Sequence, residues 1–392
     1  MDNPLGQSNS PRIPRRTMMA STLTSAAFFG ATVLTSRYRS LRASVPKPIV
    51  KPNWVRTVHG EGRGWHVGGM VKWRGTYYIC FVEGTGHVSD DSRIGISSST
   101  DLENWHTQIV TDSTYIDPQL LPVGDTLYLY SVRYDLHTKT ETGSPSWEMM
   151  SSTTDGKRWS KPKRCFLKNH DFWHPTEHQG RYYIACDNTG HVAAGPDCRS
   201  DLLTSGDGKS WTWVSEILHG SSQSGYSKTL TEDKPYHDTR ENRYFAPRTA
   251  SETALHFLDD GRLLAITRAR GLMACLSLAE PPYTEWKHAL SATSRCYGSA
   301  IARVGDHVVV TGRYNGDQDP KGLYEINGAA TGVFLYKEPD ISLYALLPSG
   351  RDTGYAAILE YTKNEALIAY YSSHEYAPNP GSSVYLASLP LP

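Results

Sequence analysis

The sequence predicts an all-β fold, a six-bladed β-propeller, on three observations. A hairpin pattern is written six times along the chain, a turn motif is written three times in phase with it, and strands near the two ends are suited to pair. The clearest hairpin is Ser251–Gly271, SETALHFLDDGRLLAITRARG. There ETALHF alternates apolar and polar residues, Asp259-Asp260-Gly261 supplies a tight turn, and RLLAITR alternates again. Gly68–Glu83, Asp117–Arg133, His174–Asp187, Tyr297–Arg313 and Gly354–Tyr371 repeat the pattern. One hairpin cannot bury its own apolar face, so six of them are expected to stack as blades around an axis.

The turn motif is [ST]-x-D-x-x-x-W. It occurs at Ser99–Trp105, Thr153–Trp159 and Ser205–Trp211, with a worn copy near Ser277 and Trp286. The aspartate is expected to bind backbone amides of the turn, and the tryptophan to fill the gap between blades.

In chain order, Met1–Ser10 is polar, Pro11–Arg16 is basic and Met18–Leu34 is apolar and rich in small residues. This is the layout of an export signal, and Arg15-Arg16-Thr17-Met18-Met19 resembles a twin-arginine signal. The expected division is a leader over residues 1–43, a proline-containing tether over 44–53 and one propeller over 54–392, exported to the periplasm or beyond. Blade one starts near Trp54 and carries Glu83, His87 and a polar loop with Asp90 and Asp91. Blade two is flanked by Asp117 and Arg133, and blade three carries His170, His174, His178 and Asp187. The long Tyr-containing insertion between Leu218 and Ala250 is expected to wall the central pocket. Ser383–Ser388 is expected to pair with the segment Trp54–Val58 and close the ring.

Lys plus Arg equals Asp plus Glu at 40 each, so no global field points to nucleic acid or a membrane surface. The 24 Tyr and 10 Trp against 8 Phe suit a polar aromatic pocket such as sugars favour. A monomer is expected, with no membrane contact beyond a signal anchor. Six cysteines permit disulfides in an exported chain, and Cys186–Cys198 is the pair closest in sequence. Cys80, Cys186 and Cys275 also read as small apolar residues within strands. No metal motif or cofactor fingerprint appears; His174, His178 and Asp187 are the nearest approach to a ligand set.

In a propeller, residues at one end of the innermost strands converge on the axis. The candidates are therefore His66, Glu83, His87, Asp117, Arg133, His174, Glu252, Arg268, Arg270, Arg313, Tyr355 and His374.

The three turn motifs resemble the Asp-box of the sialidase-like superfamily. Glu252 followed by Arg268, then Arg313, then Tyr355 in TGYAAILEY is similar to the exo-sialidase pattern, and the resemblance covers about residues 55–390. It implies Tyr355 as nucleophile, Glu252 as its base, Arg268 and Arg313 as two of three arginines gripping a substrate carboxylate, and Asp90 or Asp91 as acid/base. The family's first arginine motif is replaced by Trp65-His66-Val67-Gly68, and histidines 66, 87, 174 and 374 enrich the presumed pocket. Three functions stay open: an exo-glycosidase on acidic or modified glycans, a lyase on a uronate-containing polysaccharide, and a non-catalytic glycan-binding propeller. Each takes a glycan as partner.

Overall fold

The computed structural model describes residues 50–138, 144–188, 198–229, 233–314, 329–376 and 379–392. The expected leader with its arginine pair, and most of the expected tether, lie outside these residues.

Strands and turns account for nearly all of the described chain, which folds into six sheets, antiparallel but for one parallel pairing in blade four. Their innermost strands are Gly64–Trp73, Tyr115–Val123, Asp171–His178, Ala250–Phe257, Tyr297–Val304 and Thr353–Thr362. Each pairs with the strand that follows it, so all six expected hairpins are present as inner hairpins. The inner strands touch one another in cyclic order, blade six meeting blade one. Blades one and two approach backbone to backbone: a Cβ on Gly68 would lie 1.4 Å from the carbonyl oxygen of Pro118. No side chain fits there.

Blade six is completed by the first strand of the propeller. Trp54–His59 pairs with Ser383–Pro390, Trp54 opposite Ser388, which ties the two ends into one sheet and removes an edge. The core lies between blades, as five apolar clusters. Between blades two and three, for example, Tyr130 meets Phe172 edge-on at 5.6 Å, and Trp211 meets both.

The three turn motifs are built alike. Asp101 Oδ1 accepts from the amides of Glu103 and Asn104 at 2.9 and 2.8 Å. Asp155 and Asp207 do the same for the amides two and three residues on. Each turn leans on the preceding blade: Gln108 Nε2 donates to the Gly156 carbonyl at 3.0 Å, and the Tyr130 hydroxyl donates to that of Gly208. In the worn copy Ser277 no longer caps a turn but meets His288 Nδ1 at 2.8 Å. Trp286 still reaches the preceding blade, donating to Ser215 Oγ at 3.0 Å.

Two expectations are corrected. The described part of the 218–250 insertion forms three short strands, Gly225–Ser227, Tyr236–Asp238 and Arg243–Ala246. These extend blade four outward from its last strand, Lys287–Leu290, to a seven-stranded sheet. The backbone groups of that outer strand are open to pairing, and the insertion satisfies them instead of walling the axis. Cys186 and Cys198 do not pair. Both thiols are buried, and they donate to the carbonyls of Asp187 and Ala250 at 3.7 and 3.2 Å.

Candidate functional site

Every inner strand breaks register at the same place. The shifts fall after Trp65, Ile116, Trp173, Ser251, Tyr297 and Gly354. At each shift one residue takes a left-handed backbone: His66 (φ 33°), Asp117 (50°), His174 (47°), Glu252 (51°), Gly298 (61°) and Tyr355 (39°). Such a bulge re-aims a side chain out of the strand's alternation. A non-glycine residue in this region costs roughly 1–2 kcal/mol. Five positions bear that cost with a His, Asp, Glu or Tyr, and strain of this kind gathers at functional sites.

The bulge residues meet near the axis. The His66 ring lies 3.9 Å from the Tyr355 ring, and Trp173 stacks on both at 5.9 and 6.1 Å. His66 Nδ1 is 2.8 Å from Asp117 Oδ1, with both side chains buried. Burial pushes the His66 imidazole down, against the pull of Asp117, so the ring is disposed to stay neutral.

Across from His66, the Tyr355 hydroxyl donates to Glu252 Oε1 at 2.9 Å. The same oxygen accepts from Arg268. Burial alone would raise the Glu252 carboxyl, but the Arg268 guanidinium and the Tyr355 hydroxyl outweigh it and hold the group below its ordinary value. Burial and the Glu252 charge push the Tyr355 phenol well above its own. The resting pair is thus a neutral phenol donating to a carboxylate. Glu252 is fixed from behind, its amide donating to the buried Asp187 Oδ2 at 2.8 Å. Arg268 also lies over the Tyr297 ring, 4.8 Å from its centre.

A second cluster adjoins the first. Arg313 donates to Asp352 Oδ1 at 3.1 Å and to the Thr353 carbonyl at 2.8 Å. The Tyr371 hydroxyl donates to Asp352 Oδ1 at 2.6 Å. His87 Nδ1 lies 3.4 Å from Asp352 Oδ2 and 3.3 Å from the Tyr371 hydroxyl. The His87 ring is 5.5 Å from that of Tyr355. Burial opposes ionisation of Asp352, but His87 and Arg313 hold its carboxyl well below the usual range.

Of the sequence candidates, the structure therefore gathers His66, His87, Asp117, Glu252, Arg268, Arg313 and Tyr355. His174 shares the bulge position but lines the axial channel beyond the other rings, a space of about 550 Å³ with Gln119, Glu177 and Leu255 in its wall. Burial and the neighbouring His66 push its imidazole down to about 4. The Tyr355 group does not include Asp91, whose carboxylate is bound by Thr85 and Ser89 of its own loop and by Arg63. Asp90 sits 3.5 Å from exposed His137. Glu83 is held by Arg63 and by Arg93, whose Nε lies at 3.0 Å. Arg63 is thereby committed to Glu83 and Asp91 and does not replace the missing first arginine. Arg133 is exposed at the end of its strand. His374 bonds Ser372 Oγ at 2.9 Å and packs on Tyr385. His178 stacks on Phe257 at 4.0 Å, apart from Asp187, and no group of three potential metal ligands occurs among the described residues.

Sequence reasoning missed Asp352, Trp173 and the role of Tyr371. Asp352 reads as a turn residue in SGRDTGY, yet it stands three positions before Tyr355. That proximity was the available signal.

No family model and no curated protein matches the sequence. Solved structures do resemble it. A Dyadobacter fermentans protein of unknown function aligns over 88% of this chain and 100% of its own, at 15% identity and a TM-score of 0.66. A mutant Trypanosoma rangeli sialidase displaying trans-sialidase activity aligns over 87% of this chain, at 14% identity and a TM-score of 0.59. This chain spans only 58% of that sialidase's length. A Hadza microbial sialidase aligns over 86% of this chain and 68% of its own, at 12% identity and a TM-score of 0.59. At such identities the likeness establishes the fold: this chain is a β-propeller of the architecture that sialidases share.

Proposed function

We propose that this protein is an exo-acting glycoside hydrolase of acidic or modified glycans, with Tyr355 as nucleophile and Glu252 as its base. The observation that carries the reading is the 2.9 Å hydrogen bond from the Tyr355 hydroxyl to Glu252. A phenol is a weak nucleophile until a base takes its proton as it attacks, and an ionised carboxylate at this distance is placed to do so. Arg268 steadies the carboxylate before transfer, and Arg268 and Arg313 flank the place where a substrate's anionic or polar group would sit. A neutral phenol also avoids the repulsion that a carboxylate nucleophile would meet from an anionic sugar.

The test is to incubate the full chain and its Tyr355→Phe variant with a panel of sialosides and uronate-rich polysaccharides, following reducing sugar and ultraviolet absorbance together. Sugar release that falls at least ~10³-fold in the variant supports the nucleophile. Release unaffected by the substitution removes it. A polysaccharide lyase is the second reading, favoured by the packing of His66 against Tyr355 at 3.9 Å, which pairs two proton-transfer groups. It would announce itself by an unsaturated, ultraviolet-absorbing product. Export by the twin-arginine-like leader belongs to the same proposal, and cell fractionation would test it.

A further inference from the structure

We propose that His87 is the acid/base group of this site, oriented by Asp352 and Tyr371, in the role that the resemblance gives to a loop carboxylate. The inference rests on the Tyr355–Glu252 reading above. Of that loop's two carboxylates, Asp90 is exposed beside His137 at 3.5 Å, and Asp91 already accepts from the Thr85 amide at 3.0 Å, the Thr85 hydroxyl at 2.8 Å, Ser89 Oγ at 2.7 Å and Arg63 Nη2 at 2.9 Å. Four donors including a guanidinium keep it ionised, with no proton to give. Asp352 lies beside His87 and Tyr371, but Arg313 and Tyr371 hold it as an anion in the same way.

His87 comes from the same loop and stands differently. Its ring packs 5.5 Å from Tyr355, 5.4 Å from His66 and 5.7 Å from Tyr371. Its Nδ1 faces Asp352 Oδ2 at 3.4 Å and the Tyr371 oxygen at 3.3 Å. Since the Tyr371 hydroxyl spends its own hydrogen on Asp352 Oδ1, both partners of Nδ1 are acceptors. The proton of the neutral ring therefore belongs on Nδ1, and Nε2 becomes the nitrogen that takes up and returns a proton. The side chain is 22% exposed, so a substrate can reach it. A carboxylate behind one nitrogen and a reacting atom before the other is a recurrent way to orient a catalytic imidazole.

The steps balance. The Tyr355 oxygen bonds to the anomeric carbon while its proton passes to Glu252. The glycosidic C–O bond breaks, its electron pair stays on the leaving oxygen, and that oxygen takes the proton of the His87 imidazolium from Nε2. Water then gives a proton to neutral His87 and its oxygen bonds to the anomeric carbon. Tyr355 departs and recovers its proton from Glu252. The net reaction is glycoside plus water to free sugar plus alcohol. Asp352 compensates the imidazolium charge throughout and acts as a positioning residue.

The experiment compares the full chain with His87→Gln, Asp352→Asn and Tyr355→Phe on the 4-nitrophenyl and the methyl glycoside of the sugar released fastest in the panel. A nitrophenolate leaves without a proton and methoxide does not. His87→Gln should lose ~10²- to 10⁴-fold on the methyl glycoside, keep formation of the tyrosyl intermediate from the nitrophenyl one, and regain turnover with azide, which needs no base. Asp352→Asn should move the alkaline limb of the pH–rate profile to lower pH. Equal losses on both glycosides with no azide rescue would overturn the proposal while leaving Tyr355 in place. Full activity of Tyr355→Phe would instead overturn the reading beneath it. Independently of turnover, ¹⁵N imidazole resonances should report His87 in the Nδ1–H form when neutral; the Nε2–H form would refute the assignment.

Discussion

Gly298 is the one bulge position without a side chain, and filling it tests the packing of the site without any substrate. It has φ 61°, and a Cβ there would lie 2.9 Å from Tyr355 Cδ1, 3.0 Å from Cγ and 3.0 Å from the backbone nitrogen. Gly298→Ala therefore meets two separate costs. The left-handed backbone costs an alanine roughly 1–2 kcal/mol. Forcing a methyl against the Tyr355 ring adds overpacking of about 1–3 kcal/mol. Only the second cost depends on Tyr355, so a double-mutant cycle separates them. Denaturation midpoints of the parent, Gly298→Ala, Tyr355→Ala and the double variant should give a coupling of about 1–3 kcal/mol, the alanine being tolerated better once the ring is gone. Additivity within ~0.5 kcal/mol would show that the ring does not occupy this space, and the account of how Tyr355 is aimed at Glu252 would fall.

Two further outcomes follow from the buried carboxyls. Glu252→Gln keeps the shape but removes the base, so turnover should drop ~10²- to 10⁴-fold. It also leaves Arg268 uncompensated, with a stability loss toward the lower end of the ~3–5 kcal/mol typical of broken buried pairs. Initial rates and melting curves check both, and parent-like rates would exclude the base role. Glu148 is buried, accepts from the Phe172 amide at 3.0 Å on one oxygen, and is pushed well above its ordinary value by burial and by Asp171. The folded state therefore keeps this proton after the unfolded chain has released it. Its contribution is fully present below the unfolded-state value and is lost as pH rises from there toward the folded one. Glu148→Gln mimics the protonated group at every pH, so its melting-temperature advantage over the parent should grow from pH 4.5 to 7.5. A constant or shrinking gap would refute the shift.

The hairpins were legible because period-two alternation and Asp/Gly turns are local signals, and closure of the ring was legible because unpaired end strands need partners. What local pattern does not carry is register. Blade five apart, each inner strand begins before the residue at which its alternation becomes visible, since the bulge interrupts the alternation. By pattern His174 and Gly354 open their strands, which in the structure start at Asp171 and Thr353. Glu83, Arg133 and His374 flank the hairpins just as Glu252 and Arg268 do, and only three-dimensional partners separate them: two arginines for Glu83, solvent for Arg133, Ser372 for His374. The insertion after Leu218 misled for a related reason. Its tyrosines suggest a pocket wall, but Tyr236 is buried with its hydroxyl on the His219 amide and Tyr226 lies under Arg243. Both serve the outer sheet.

The bulges also explain how one repeat supports a site with no repeated chemistry. A regular inner strand would alternate its side chains between the two neighbouring blades, leaving the axis lined by backbone. The extra residue at each break re-aims one position per blade, and the side chains so turned at blades one, two, four and six meet one another, while His174 of blade three lines the channel beyond them. The fold thus fixes position while leaving identity open at each blade. Imidazole at blade one, carboxylate at two and four, and phenol at six can then differ freely in chemistry. At blade five the position is empty, and the vacancy receives the Tyr355 ring from blade six. On this account the glycine is as much a part of the central cluster as the tyrosine, since a side chain at position 298 would claim the space that aims the phenol at Glu252.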